Sequence, residues 1–306
     1  MKKAFTMLEL VMVMVIMGIV ASIGADIIAS MYSNYLRSRT INRLESQTEI
    51  TLEQIIKRLQ YRIKDSAITR KSTGEYLPLS QYETTDGNYT VLEWIGYSNE
   101  SFLGTPRPGW SGFIDIDHND TNKSSKTIKT SESNLTLASN IIDALSYEDV
   151  NLSTGKEAVI IFKGKASNAD DFGWKSNASG AKNSDGNSTI KVRIKTGTID
   201  VFDLSAENTS DLPDDIYEQY DLAHTAYAIV PEGNSTNDFN LTLKYNYQPW
   251  DDENYGDGNS SVLAEHASLF RFKQEQSVIQ VKLCLHDSNE TGVGDMIVVC
   301  KEKVVF

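Results

Sequence analysis

Basic side chains are in deficit. Lys and Arg number 29 against 42 Asp and Glu, a formal net charge of −13 over 306 residues. A nucleic-acid binder needs a basic face to displace counterions, which this balance argues against. Histidine occurs four times, at His118, His224, His266 and His286, with no H-x-x-x-H spacing. The two cysteines, Cys284 and Cys300, form no C-x-x-C pair, so the spacings that mark a zinc site are missing. No phosphate-binding glycine loop occurs, and "GWSGF" (109–113) lacks the second glycine of a nucleophile elbow. With no catalytic set visible, the chain reads as something other than an enzyme. Proline is scarce as well, six in all, and neither proline nor glycine interrupts residues 25 to 70.

The remaining composition is ordinary: 40% apolar and 23% charged residues suit a folded domain and argue against wholesale disorder. The length leaves room for one large domain or two small ones. The most informative stretch is the first 25 residues. Phe5 to Ala25 is almost wholly apolar and, at 1.5 Å per residue, gives roughly 31 Å of helix, the thickness of a bilayer core. Lys2 and Lys3 precede it and no basic residue follows until Arg37, which keeps the N-terminus cytoplasmic and exports the rest. A cleavable signal peptide fits poorly, because cleavage near Ala21 or Ala25 puts Ile19 or Ile23 at the −3 position. A plain signal anchor explains the length but not Glu9, a carboxylate that is costly in hydrocarbon and is expected to face a partner. Alternatively, Glu9 lies near enough to the interface to stay hydrated.

The stretch "KKA-FTMLEL" resembles the class III leader of the type IV pilin family: a short basic leader, then Phe-Thr-x-x-Glu and an apolar helix. The resemblance covers about the first 25 residues and implies removal of residues 1–4 by a prepilin peptidase, which cuts between Ala4 and Phe5 and methylates the new N-terminus at Phe5. Ala4 departs from the family's Gly at −1, which bears on cleavage efficiency. Gly18 falls where pilins usually carry a helix glycine. Asp26 stands where major pilins often have a proline, which points to a minor subunit. In the family, the acid matching Glu9 meets the charged N-terminus of a neighbouring subunit in the filament core and sets the axial register. Retention of Glu9 argues against the K-type tip pseudopilin, and the long helix with a large head is most similar to the J-type or W-type minor subunits.

The helix is expected to continue beyond residue 25. Ile41, Leu44, Leu52, Ile55, Ile56, Leu59 and Ile63 recur at three- and four-residue steps, with Arg43, Glu45, Glu49, Lys57, Arg58 and Lys64 between them. A helix from Phe5 to about Asp65 is roughly 90 Å long. The expected organisation is therefore a leader (1–4), a transmembrane or filament-core segment (5–25), an amphipathic continuation (26–70) and a β-rich periplasmic head (71–306). In the head "IKVRIK" (190–195), "LTLKYNY" (241–247) and "VIQVKLCL" (278–285) alternate with period two, as half-buried antiparallel strands do. "VLEWIGY" (91–97), "AVIIF" (158–162), "AYAIV" (226–230) and "DMIVVCKEKVVF" (295–306) are further strands. "SNIIDALSYED" (139–149) reads as a short helix capped by Ser139 or Asn140. The turn-rich stretches 164–189 and 249–261 read as surface excursions. The fold class is α+β, a long helix packed on an antiparallel sheet in a pilin-like arrangement.

If Gly292 centres a hairpin loop, Cys284 and Cys300 lie opposite each other. Cys284 then shares a face with Gln280 and Lys282 and not with the core residues Ile279, Val281 and Leu283. An oxidising periplasm favours a bridge, and the pair resembles the C-terminal disulfide loop of many pilins. In "DIDHND" the residues Asp115, Asp117 and Asn119 imitate the start of a calcium loop, and some pseudopilins bind calcium in the head. The sixth position is Asp120 instead of Gly and the twelfth Lys126 instead of Glu, so acidic residues of a solvated loop are the other reading; no other cofactor is expected.

Two classes of function remain. One is a structural subunit, a minor pilin or type II secretion pseudopilin in the inner membrane, single-pass with a cytoplasmic N-terminus. Its partners are other pilins or pseudopilins, the prepilin peptidase, the assembly platform and the lipid bilayer. The other is a membrane-tethered periplasmic enzyme or binding protein that borrows the segment as an anchor.

Asparagine adds one more pattern. Of 21 asparagines 13 stand in N-x-S/T, and ten of those carry Asp or Glu two residues earlier: Asn88, Asn119, Asn122, Asn134, Asn151, Asn187, Asn234, Asn240, Asn259 and Asn289. Random placement at this composition gives about 0.5 such sites, although Asp, Asn, Ser and Thr gather in turns in any case. The D/E-x-N-x-S/T pattern resembles the acceptor of bacterial oligosaccharyltransferases that act in the periplasm, and implies N-glycosylation at several of the ten.

Overall fold

Apolar residues at helical spacing and no proline before Pro78 produce one uninterrupted helix, α1 (Met7–Gln60), 54 residues long. The computed structural model describes residues 6–83, 86–165, 167–175, 188–204, 215–233, 235, 237–287 and 296–306. The helix stops five residues short of the expected Asp65. Tyr61 leaves helical geometry with φ −95° and ψ 16°, Arg62 bridges to Gly96 of the sheet, and Lys64–Ser66 forms a separate 3₁₀ turn. The buried guanidinium of Arg62 donates to the carbonyls of Leu59 (2.9 Å) and Ser277 (2.7 Å), so the chain is turned into the sheet where the helix ends.

The head follows as strands β1 (Ile68–Lys71), β2 (Tyr76–Pro78), β3 (Tyr89–Tyr97), β4 (Thr127–Lys129), β5 (Ala158–Phe162), β6 (Ile190–Ile194), β7 (Val201–Leu204), β8 (Tyr220–Glu232), β9 (Phe239–Tyr247), β10 (Asn259–Glu275), β11 (Val278–His286) and β12 (Val298–Val305). Two further helices are α2 (Asn99–Phe102) and α3 (Leu135–Leu145). The strands make one 12-stranded antiparallel sheet with the central order β12-β11-β10-β9-β8-β5-β6-β7-β4. β8 carries two neighbours along one edge: Tyr220 to Ala223 pair with β5, and Ala223 to Ile229 pair with β3. The architecture is α+β, as expected.

Both faces of the sheet are covered, which explains why "AVIIF" is a continuous apolar run. Ala158, Ile160 and Phe162 join one core cluster while Val159 and Ile161 join another, as alternation across a strand requires. On one face α1 lies across β10, β11 and β12, burying Leu44, Leu52, Ile55, Ile56 and Leu59. On the same face α3 covers β5, β6 and β7 through Leu135, Ala138 and Ile142. Buried Thr48 and Thr51 share the stripe of α1; Thr48 satisfies its hydroxyl on the Leu44 carbonyl at 2.7 Å and Thr51 on Leu263 at 3.2 Å.

The two turn-rich stretches are not surface excursions in their described parts. Phe172, Trp174 and Trp250 are buried in the cluster on the opposite face, and their indoles are anchored by Trp174 Nε1 to the Ser66 carbonyl and Trp250 Nε1 to the Glu157 carbonyl, each at 3.1 Å. Asn259, expected in a loop, is the first residue of β10. On that face the buried Glu93 carboxylate takes Arg70 on one oxygen and the Tyr247 hydroxyl on the other, tying β1, β3 and β9 together. α3 begins four residues before the expected start, because the side chain of Asn134, not Ser139 or Asn140, caps it by accepting from the Leu137 N–H at 3.2 Å.

Candidate functional site

An α-helix leaves its first N–H groups without partners, and in hydrocarbon each such group is expensive. At the start of α1 the sequence Thr6-x-x-Glu9 answers this with a capping box. Thr6 Oγ1 accepts from the Glu9 N–H at 3.4 Å, and Glu9 Oε2 accepts from the Thr6 N–H at 3.2 Å and the Thr6 hydroxyl at 3.1 Å. The Glu9 carboxylate also complements the positive end of the helix dipole. Ala4 and Phe5, the expected cleavage and methylation positions, lie outside the described residues.

The most apolar 18 residues of α1 are wholly unburied, and the helix is long and apolar enough to cross a membrane. From Leu44 onward the same helix becomes part of the head's core. Ion pairs lock it there: Lys301 meets Glu49 at 3.0 Å, and Lys303 meets Glu49 and Glu53. Lys303, then Lys301, hold the Glu49 carboxyl below its usual range by hydrogen bonding. The disulfide joins Cys284 to Cys300 directly across β11 and β12, on the strand that supplies both lysines. Cys284 is buried at 4% exposure, yet it stays out of the core cluster that takes Ile279, Val281, Leu283 and Leu285, as its place on the face of Gln280 and Lys282 implies. Both faces of β11 are buried over Leu283–His286, opposite a register shift in β10, while Leu283 and Leu285 keep the core side.

Among the described residues the carboxylates of the calcium-like loop, Asp115, Asp117 and Asp120, do not gather into a group of three. Asp115 Oδ2 accepts from the Ser131 hydroxyl at 3.4 Å, Asp120 pairs with Lys195 at 3.2 Å, and Asp117 and Asn119 are exposed. Among the described residues the one group of three metal-ligating side chains lies elsewhere, at Asp238, His266 and His286. These residues look isolated in the sequence. Pairing of Ala267 with Leu285 across the β10–β11 hairpin is what brings the two histidines together, a relation legible only once β10 is recognised as a strand.

The sequons divide by environment. Asn88, Asn119, Asn122, Asn240 and Asn259 are exposed. Asn134 is the α3 cap, and half-buried Asn151 donates Nδ2 to Asp143 at 3.1 Å while its Oδ1 accepts from Ser153 and Thr154. Asn187, Asn234 and Asn289 lie outside the described residues.

A cleft of about 540 Å³ opens beside α1, lined in part by Lys57, Arg58, Tyr61, Tyr147, His224 and Tyr245. Burial alone pushes the His224 imidazole down to about 4, so it is neutral at neutral pH. Burial likewise raises the Tyr227 phenol to about 12. Neither group is poised for acid–base work near pH 7. No protein-family model, curated protein or solved structure matches the chain significantly.

Proposed function

We propose that this chain is a minor structural subunit of a type IV pilus or type II secretion pseudopilus, held in the inner membrane and assembled into a filament through its N-terminal helix. The observation that carries the reading is the division of α1, one continuous helix whose apolar first part has no cover and whose later part is built into the head. A bare membrane anchor needs no such rigid continuity. A subunit stacked by its helix does, because the head must be held at a fixed position relative to the packed segment. The unburied apolar stretch exceeds what a soluble chain leaves open, and it fits first a bilayer and then the same segments of neighbouring subunits. Glu9 is the one charge in that stretch and supplies the register, by accepting the charged N-terminus created at Phe5.

The leader resemblance supplies the test. In protein isolated from its native membrane, mass spectrometry of the N-terminal peptide should find a chain that begins at Phe5 and is methylated there. A mature chain that retains Met1 would favour the anchored periplasmic binding protein or enzyme over the filament subunit.

A further inference from the structure

We infer that Asp238, His266 and His286 form a binding site for a divalent transition-metal ion of the zinc class, with one coordination position open to a second cleft, beside Gln47 and Thr51 of α1. The inference is independent of the filament reading.

Three strands build the site. Asp238 directly precedes β9, His286 ends β11, and His266 sits in β10 where the pairing with β9 gains a residue between Ala264 and Ala267. The bulge places His266 at φ +55°, a left-handed conformation that few non-glycine residues adopt, and bulges of this kind re-aim a side chain. His266 Nδ1 thereby comes to 3.1 Å from Asp238 Oδ1, and His286 Nε2 lies 3.4 Å from the same oxygen. The three ligand atoms fall within 4.8 Å of one another. A tetrahedral ion with nitrogen and oxygen ligands holds neighbouring ligand atoms about 3.3 Å apart.

His286 supplies the second observation. Its side chain is 7% exposed, and Nδ1 lies 2.8 Å from the Asp287 carbonyl, which can only accept; Nδ1 therefore carries the proton. In the neutral ring Nε2 is a lone pair, buried and without a hydrogen-bond partner, facing a carboxylate oxygen that is also an acceptor. Two acceptors aimed at each other require a positive species between them. The arrangement is that of a ligating histidine whose other nitrogen is fixed by a carbonyl. That carbonyl is fixed in turn, because Asp287 exchanges hydrogen bonds with Ile297: its N–H donates to the Ile297 carbonyl at 3.1 Å, and its carboxylate accepts from the Ile297 N–H at 2.9 Å.

Two imidazoles and one carboxylate select a first-row transition ion over calcium or magnesium, which favour oxygen. The neighbouring cleft of about 520 Å³ is bounded by Gln47 and Thr51 of α1 and admits water as a fourth ligand. Its other charged lining groups, Arg43 and Glu265, are of opposite sign.

The test uses the full chain in detergent, stripped by a chelator and titrated calorimetrically with zinc chloride, with magnesium chloride as the control. Cobalt chloride is added separately to read coordination in the visible spectrum. Asn tolerates the left-handed backbone at position 266, so His266→Asn removes the ligand without straining the bulge. The expected result is one zinc equivalent per chain, cobalt bands of a four- or five-coordinate imidazole site, and binding weakened by more than about 10-fold in His266→Asn with an unchanged thermal transition in the absence of metal. Equal zinc affinity in the wild type and His266→Asn, or a cobalt spectrum no different from the aqueous ion, overturns the inference. The cluster is then a hydrogen-bonded histidine–carboxylate pair.

Discussion

Glu9 has two roles that one substitution separates. As a capping residue it needs only an acceptor at the third helical position, which Gln also provides. As the partner of a neighbouring N-terminus it needs its charge. Glu9→Gln is therefore expected to insert into the membrane normally and to be depleted from sheared filaments, and the same is expected of Glu9→Val. Recovery of Glu9→Gln in filaments at the wild-type level, measured by quantitative blotting, would show that capping suffices. His224 offers a second residue-scale prediction. Its folded pKa of about 4 lies below the ordinary 6.5, so between those values the unfolded chain binds the extra proton. Stability is lost as pH falls through 6.5 toward 4 and is unaffected by this group above that window. A span of about 2.5 pH units corresponds to about 3 kcal/mol. The stability difference between wild type and His224→Gln should change by about that amount between pH 7.5 and pH 4, followed by denaturant unfolding in detergent. Curves that stay parallel would rule out a buried neutral imidazole.

The strength of the periodic signal decided which elements were legible. α1 was readable from its stripe, and β6, β9 and β11 from period-two alternation, since each follows one dominant burial pattern. β10, the longest strand at 17 residues, was not, because "LAEHAS" carries the bulge that breaks alternation at His266. The metal cluster escaped for the same reason, as its histidines are remote until that strand is paired. The short 3₁₀ segments around Phe172 and Trp250 resemble loops by composition, and only the tryptophans hint that they enclose a core. The cysteine pair is legible in the period-two pattern of β11, and Cys284 keeps the face which that pattern assigns it, outside the cluster of Ile279, Val281 and Leu283. The disulfide ties β12 to β11 and so holds Lys301 and Lys303 against α1. Replacing both cysteines with Ala should lower unfolding stability by about 3 kcal/mol, as loop-closure entropy for this separation implies, and should raise amide exchange in β12 before the rest of the sheet. Uniform exchange across all strands would count against a local role for the bridge.

At the scale of the whole molecule, strand order was beyond reach of the sequence, since nothing local dictates that β3 and β5 share an edge of β8. What the sequence does distribute across the molecule is its ten acidic sequons, and the fold sorts them. A glycan is bulky and hydrophilic, so an enzyme acting on the folded head reaches amides that face solvent. Asn88, Asn119, Asn122, Asn240 and Asn259 stand exposed. Asn134 caps α3 and Asn151 is bound on both ends of its amide; a glycan at either would interfere with contacts that fix the α3 region. Glycopeptide mapping of protein from its native host is expected to find sugar at several of the five exposed sites and none at Asn134 or Asn151. Occupancy at Asn134 and Asn151 equal to that at the exposed sites would mean that modification precedes folding, and an intact mass equal to that of the bare chain from Phe5 onward, allowing for methylation, would eliminate glycosylation altogether.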